Sequence, residues 1–183
     1  MTGTEDGAGL GTPRAVEQAY KTHKNRLVTL ATALTGDQAT AEDAVHDVFA
    51  QLLRGNGRSL DGSNIAGYLT VCVRHRAFRL WRVGRRMNLA PSQRSEWHPA
   101  PNADPAAAAE RHEEASRLLA LAAALPAKLR EAISLRIWGD LTFEAIAELQ
   151  GTSKSMAHER CCQALLRLRH GLDNLDKENA DVR

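Results

Sequence analysis

Seven arginines in a stretch without a single acid are the densest chemistry in this sequence. From Gly62 to Ser95 there is no Asp or Glu, while Arg74, Arg76, Arg79, Arg82, Arg85, Arg86 and Arg94 all fall there. The apolar spacing predicts a helix over 65–86, capped by Asn64. On it Arg74, Phe78, Trp81, Arg82 and Arg85 share a face by steps of three and four. Cations interleaved with aromatics suit a separated nucleic-acid strand, where guanidiniums neutralise phosphates and rings stack on bases. The competing reading puts Phe78 and Trp81 in a core, the commoner place for large aromatics. It does not account for seven arginines with no acid among them.

A second constellation lies at 142–169. A short apolar-periodic segment from Thr142, a Gly151-containing turn and a longer segment capped by Ser153 have the pattern of a helix-turn-helix. If Ala157, Cys161, Ala164 and Leu168 face inward, the other side presents Lys154, Ser155, His158, Glu159, Cys162 and Gln163, with Arg160, Arg167 and Arg169 along the flank. Such side chains can meet phosphates and base edges in a major groove. An ordinary helical hairpin with a solvated polar face is the alternative. A third, acidic group (Glu42, Asp43, His46, Asp47) lies opposite the stripe Ala41, Ala44, Val45, Val48, Phe49, Leu52.

Metal and enzyme chemistry are not nominated. Cys72 with His75, and His158 with Cys161 or Cys162, have helical spacings but form no CxxC pair. No phosphate-binding glycine loop, HExxH or GxSxG occurs, so no catalytic residue, metal, cofactor or small-molecule substrate is expected.

These groups must be positioned by helices. Aromatics are only 4% and β-branched runs are scarce, which favours an all-α chain over a sandwich or barrel. Residues 1–13 lack periodicity and read as a disordered tail. A first helix starts at Arg14, with Val16, Tyr20, His23, Leu27, Leu30, Ala31 and Leu34 as its stripe, and stops at Thr35-Gly36-Asp37. A second opens at Thr40 with Asp43 three residues on, a capping-box pattern. Residues 88–105 hold four of the six prolines and read as a flexible linker, with Asp104-Pro105 opening the next helix. Its face is Ala115, Leu118, Leu119, Ala122 and Leu125. A helix with Leu129, Ile133 and Ile137 follows, then the pair around Gly151, with Leu165 counted among the apolar positions of the last one. The polar residues 172–183 read as a frayed tail. The expected architecture is two small helical domains, 14–87 and 106–171, joined by that linker.

The chain has 183 residues and a formal charge of +2, from 24 Lys+Arg against 22 Asp+Glu. That small total conceals an acidic second helix and an arginine-only third. There is no long apolar run and no signal-like N-terminus, and three cysteines do not make a disulfide framework, so a cytoplasmic protein without a membrane segment is expected.

In this order the segments resemble sigma-70 family RNA polymerase sigma factors of the extracytoplasmic-function type, the minimal two-domain class. Leu30–Arg54 is similar to the family's core-polymerase-binding segment, Ala66–Arg86 to its −10 recognition helix, and Ala124–Arg169 to its −35-reading domain. The resemblance implies a non-enzymatic subunit that binds core RNA polymerase, recognises −10 and −35 promoter elements and helps melt the duplex. It implies that Glu42, Asp43, His46, Asp47 and Phe49 meet the clamp helices of the largest subunit. The loop Arg54–Ser63 takes the place where such factors capture a flipped −10 base, and Arg58, Asn64, Arg74, His75, Arg79, Arg82, Arg85 and Arg86 are the matching −10 positions. Thr142, Ser153, Lys154, Ser155, His158, Glu159, Arg160, Cys162 and Gln163 are the matching −35 positions. An anti-sigma factor is a further implied partner. The chain departs from the family pattern at His46, Tyr68, His75, Arg79, Met156, His158 and Glu159. The residues by themselves leave open a stand-alone helix-turn-helix regulator and a helical interaction module.

Overall fold

The computed structural model describes residues 12–56, 64–86 and 116–181, and among them every regular element is helical. Helix α1 spans Pro13–Thr35, α2 Gln38–Gln51 and α3 Ile65–Arg86. Helix α4 is described over 116–124, followed by α5 (Ala127–Ile137), α6 (Phe143–Gln150) and α7 (Lys154–Asp181).

Side-chain caps fix the helix starts. Thr12 Oγ1 accepts from the Ala15 N–H at 3.2 Å, with Pro13 at the first helical position where no N–H is needed. Helix α2 begins earlier than the capping-box pattern at Thr40 suggests. Asp37 accepts from both the N–H and the hydroxyl of Thr40, so Thr40 already lies in the first turn. Asp37 so satisfies the Thr40 N–H, an orphan donor of the earlier start, and as a charged acceptor it caps more strongly than a hydroxyl does. After Gln51 the chain widens into a π-helical turn, Leu52–Asn56, with Gly55 left-handed at φ 78°.

Helices α1, α2 and α3 pack on one another, α5 and α6 pack on α7, and α1 also packs on α5. The stripes of α1 and α2 are inside: Leu27, Leu30, Ala31, Leu34, Ala41, Ala44 and Val45 are buried. Each fully buried leucine contributes about 1.5–3 kcal/mol. They join Leu69, Val73 and Ala77 of α3 and Leu129, Ile133 and Ile146 beyond in a single apolar cluster.

Three apolar assignments made by periodicity differ. Ile137 and Leu165 are each 51% exposed and Leu118 40%, while Leu135 is fully buried. In α5 the core face turns on Leu129, Ala132, Ile133 and Leu135, which leaves Ile137 outside. In α7 the inward positions are small, so the neighbouring leucine gains nothing by turning in. Helix α7 also continues through Gly171, where a frayed end was expected. A Cβ there would meet Leu121 Cδ2 at 2.7 Å, so the glycine serves a close approach of α4 to α7. The expected linker 88–105 and the Asp104-Pro105 helix start lie outside the described residues.

Candidate nucleic-acid interface

Helices α6 and α7 meet across a turn built by local chemistry. Thr142 Oγ1 accepts from the Ala145 N–H at 3.3 Å, Gly151 closes α6 at φ 62°, and Ser153 Oγ accepts from the Met156 N–H at 3.2 Å. Thr142 and Ser153, expected at the −35 face, therefore act as helix caps. Ala157, Cys161 and Ala164 turn α7 inward, leaving Lys154, Ser155, His158, Glu159 and Gln163 exposed and Cys162 half-buried. The N-terminal turns of α7 thus present a mainly polar face, with Met156 exposed among these residues.

That face is held by short-range pairs. Lys154 bridges to Glu144 on α6, and this hydrogen bond holds the Glu144 carboxyl below its ordinary range. Gln163 donates to Glu159 at 2.8 Å. His158 packs edge-on against Phe143 at 5.0 Å, with the Arg136 guanidinium over the same ring at 5.0 Å. Both His158 ring nitrogens lie 3.7–3.8 Å from Cys162 Sγ. Arg160 points to the core side instead, donating to Gln150 Oε1 at 2.7 Å.

On α3 the arginines divide. Arg79, Arg82 and Arg86 are exposed, as is His75. Partial burial, and then the charge of Arg74, hold the His75 imidazolium below its usual pKa. Arg76 is bound to Asp47 of α2, Nε to Oδ2 at 2.8 Å. Arg74 is bound to Glu131 of α5, Nε to Oε1 at 2.8 Å, and donates to the Leu149 carbonyl at 3.1 Å. Asn64 Oδ1 caps α3 by accepting from the Gly67 N–H at 2.9 Å. Arg58 and the Arg85 side chain lie outside the described residues. Between α2 and α3 a polar recess of about 270 Å³ is lined by Gln51, Tyr68, Cys72, His75, Arg76 and Arg79.

The acidic face of α2 is partly committed as well. Asp43 and His46 are exposed, Glu42 accepts from Gln38 at 2.9 Å, and Asp47 holds Arg76. Phe49 is buried, in T-shaped contact with Tyr20 at 5.1 Å. Beside it an apolar groove of about 310 Å³ runs between α1 and α2, from Val16 and Tyr20 to the exposed Leu53. Leu53 was not singled out from sequence, and Tyr20 only as part of the α1 stripe; Tyr20 Oη lies 3.0 Å from His46 Nε2 and so fixes that ring.

Cys72 and Cys161 are both pushed up in pKa by burial, which disfavours the reactive thiolate. Among the described residues no three His, Cys, Asp or Glu side chains could hold a metal ion.

The polar face on α7 and the exposed arginines of α3 coincide with two known modules. Residues 19–87 match the family model for sigma-70 region 2, and residues 115–168 that for sigma-70 region 4. The chain belongs to the sigma-70 family. It has the two-domain, extracytoplasmic-function arrangement, with α1–α3 as region 2 and α4–α7 carrying region 4. No curated protein matches it in sequence. Among solved structures it is similar to the sigma factor RpoE from Bartonella quintana, seen in a co-crystal with the anti-sigma factor NepR. The TM-score is 0.61 at 22% identity, over 86% of this chain and 96% of that one. At that identity the likeness concerns the fold. No described helix of this sigma factor is long and apolar enough to cross a membrane.

Proposed function

We propose that this sigma factor binds core RNA polymerase and directs it to promoters by reading a −35 element with α7 and a −10 element with α3. The observation that carries this reading is the exposed polar face of α7, packed from behind by Ala157, Cys161 and Ala164 and preceded by a capped turn. A helix so mounted can enter a major groove with its first turns at base edges. Lys154 and His158 are the side chains placed for bases and phosphates there, with Ser155 beside them.

Region 2 supplies the other contacts. Exposed Arg79, Arg82 and Arg86 suit the phosphates of a partly separated −10 strand. Exposed Asp43, with Glu42 and Asp47, gives α2 a negative face suited to the clamp helices of the largest polymerase subunit. No covalent step belongs to the chain itself; the energy of binding serves to hold deformed DNA. An anti-sigma partner fits this reading, since the RpoE relative was crystallised with one.

The test is run-off transcription with purified core polymerase and the Asp43→Lys variant beside the natural protein. The expected outcome is promoter-dependent transcripts for the natural chain and loss of core association for the variant. DNA binding without any core association would instead identify a stand-alone helix-turn-helix regulator.

A further inference from the structure

His158 is exposed on the outward face of α7, yet its ring is gripped from two directions. The Phe143 ring of α6 meets it with centroids 5.0 Å apart and planes at 79°, an edge-to-face contact. One helical turn on, Cys162 Sγ lies 3.7 Å from Nε2 and 3.8 Å from Nδ1. Phe143 is itself fixed. It is the first residue of α6, directly after the Thr142 cap, and it packs against the apolar cluster. The Arg136 guanidinium lies over its ring at 5.0 Å and is tied in turn to the Leu141 carbonyl, Nη1 to O at 2.8 Å. A row of contacts thus runs from the turn before α6 to the imidazole.

Lys154, one turn earlier on the same face, is held differently. Its partner Glu144 also belongs to α6, but the pair is open to solvent, with side chains 64% and 57% exposed. Salt screens such a pair, and the long lysine stem stays free to move. The edge-to-face contact of His158 is not screened, and pairs of this kind favour one arrangement about two- to tenfold. That difference decides what each side chain can read. A phosphate is neutralised by a moving charge as well as by a fixed one. A base edge is recognised by the places of its donors and acceptors, so the reading nitrogen must be held to within about 0.5 Å.

Resting on the sigma reading above, we propose that Phe143 is a positioning residue that aims the His158 imidazole, and that His158 so aimed discriminates a purine in the −35 element. Whichever nitrogen carries the proton, the ring offers at least one N–H. A purine presents N7 as an acceptor in the major groove, on its own side of the base pair. A fixed N–H therefore tells a purine–pyrimidine pair from its reverse, and a swinging one does not. Phe143 need touch no base for this. Arg136 acts one step further back, by covering the Phe143 ring from the turn that precedes α6.

Two measurements test this. In the free full-length chain, NMR of the His158 ring should show signals displaced by the ring current of Phe143. Phe143→Leu should remove the displacement, and Phe143→Tyr, which keeps an aromatic ring, should retain it. In holoenzyme assembled with core polymerase, duplexes selected from a library randomised across both elements and the spacer should show a purine preference at one −35 base pair. His158→Ala should flatten that position. Phe143→Leu should weaken the same preference about fivefold, with its neighbours intact. Phe143→Tyr should keep it, and Phe143→Leu added to His158→Ala should lose nothing more. Phe143→Met serves if Phe143→Leu fails to fold. His158 signals unmoved by Phe143→Leu overturn the aiming. A preference that falls at every position together, or at none, makes Phe143 a packing residue and overturns the proposal. Selection of no −35 sequence by the natural holoenzyme removes the sigma reading, on which the discrimination rests, and leaves the aiming of the ring to stand on the NMR result.

Discussion

Helices α3 and α7 are both long and amphipathic and both carry cations, yet they use them differently. In α3, Arg74 and Arg76 reach carboxylates 57 and 29 positions away, on other helices. In the N-terminal half of α7, the exposed pairs are Lys154 with Glu144 and Gln163 with Glu159, both local. The inward faces differ too: α3 buries Leu69 and Val73, whereas α7 buries Ala157, Cys161 and Ala164. Region 2 is thus held by bulk and by the Arg76–Asp47 pair, region 4 by close helix approach, while Arg74–Glu131 joins the two. Charge engaged in holding elements together is not free at the same time to read DNA, so the outward residues of the two helices have different duties.

Opposite substitutions should break the two inward faces. Leu69→Ala leaves a cavity in fully buried surroundings and should cost about 2–5 kcal/mol in urea unfolding. Ala164→Leu forces bulk into the seam of α7 and should cost about 1–3 kcal/mol. If Ala164→Leu is tolerated without loss, α7 is not closely packed and the contrast fails. Cys161→Ala is a milder probe of the same seam.

The outward faces should separate by specificity. Lys154→Ala and His158→Ala should each weaken binding to a −35 duplex by about 1–3 kcal/mol, with the urea midpoint unchanged. Arg82→Ala and Arg86→Ala should weaken binding nearly uniformly across sequences, each lowering the salt slope by about one. Measuring both sets by fluorescence anisotropy at several salt concentrations sharpens the comparison. A sequence-independent loss for His158→Ala would make it a phosphate contact.

Arg160→Ala should behave as neither class. It leaves the buried Gln150 carbonyl oxygen without its donor, which costs about 1–3 kcal/mol of stability. Loss of duplex affinity in proportion to that destabilisation, and no more, is the expected pattern. A large affinity loss with an unchanged urea midpoint would return Arg160 to the reading face.

What the sequence made legible was local. Stripes such as Leu27, Leu30, Ala41 and Val45, and the caps Asn64, Thr142 and Ser153, depend on neighbours within a few residues, and spacing carries that information. Thr40 misled because Asp37, three residues earlier, completes the same pattern with a stronger acceptor. Leu165 misled because small inward residues weaken the apolar signal that fixes a helix's orientation. The fates of Arg74 and Arg76 were out of reach: nothing near either arginine marks Glu131 or Asp47 as its partner. Glu131 was missed for the same reason, being one acid on a short helix with no local sign of burial.

The smallest expected effect concerns protons rather than packing. On α1, burial and then the charge of Arg26 hold His23 below its usual pKa, and on α3 burial and Arg74 do the same to His75. As pH falls through about 6.5, the unfolded chain takes up these protons first, while the folded chain resists them. Stability contributed by the neutral imidazoles is therefore present above that pH and is lost as pH falls toward the depressed folded values. The thermal midpoint should drop modestly from pH 7 to pH 5, and the drop should shrink in His23→Gln. Both histidines lie in region 2, so the α4–α7 half should contribute less to this term. A midpoint that climbs toward acid, or a slope unaltered in His23→Gln, would remove His23 from the account and leave region 2 no more proton-sensitive than region 4.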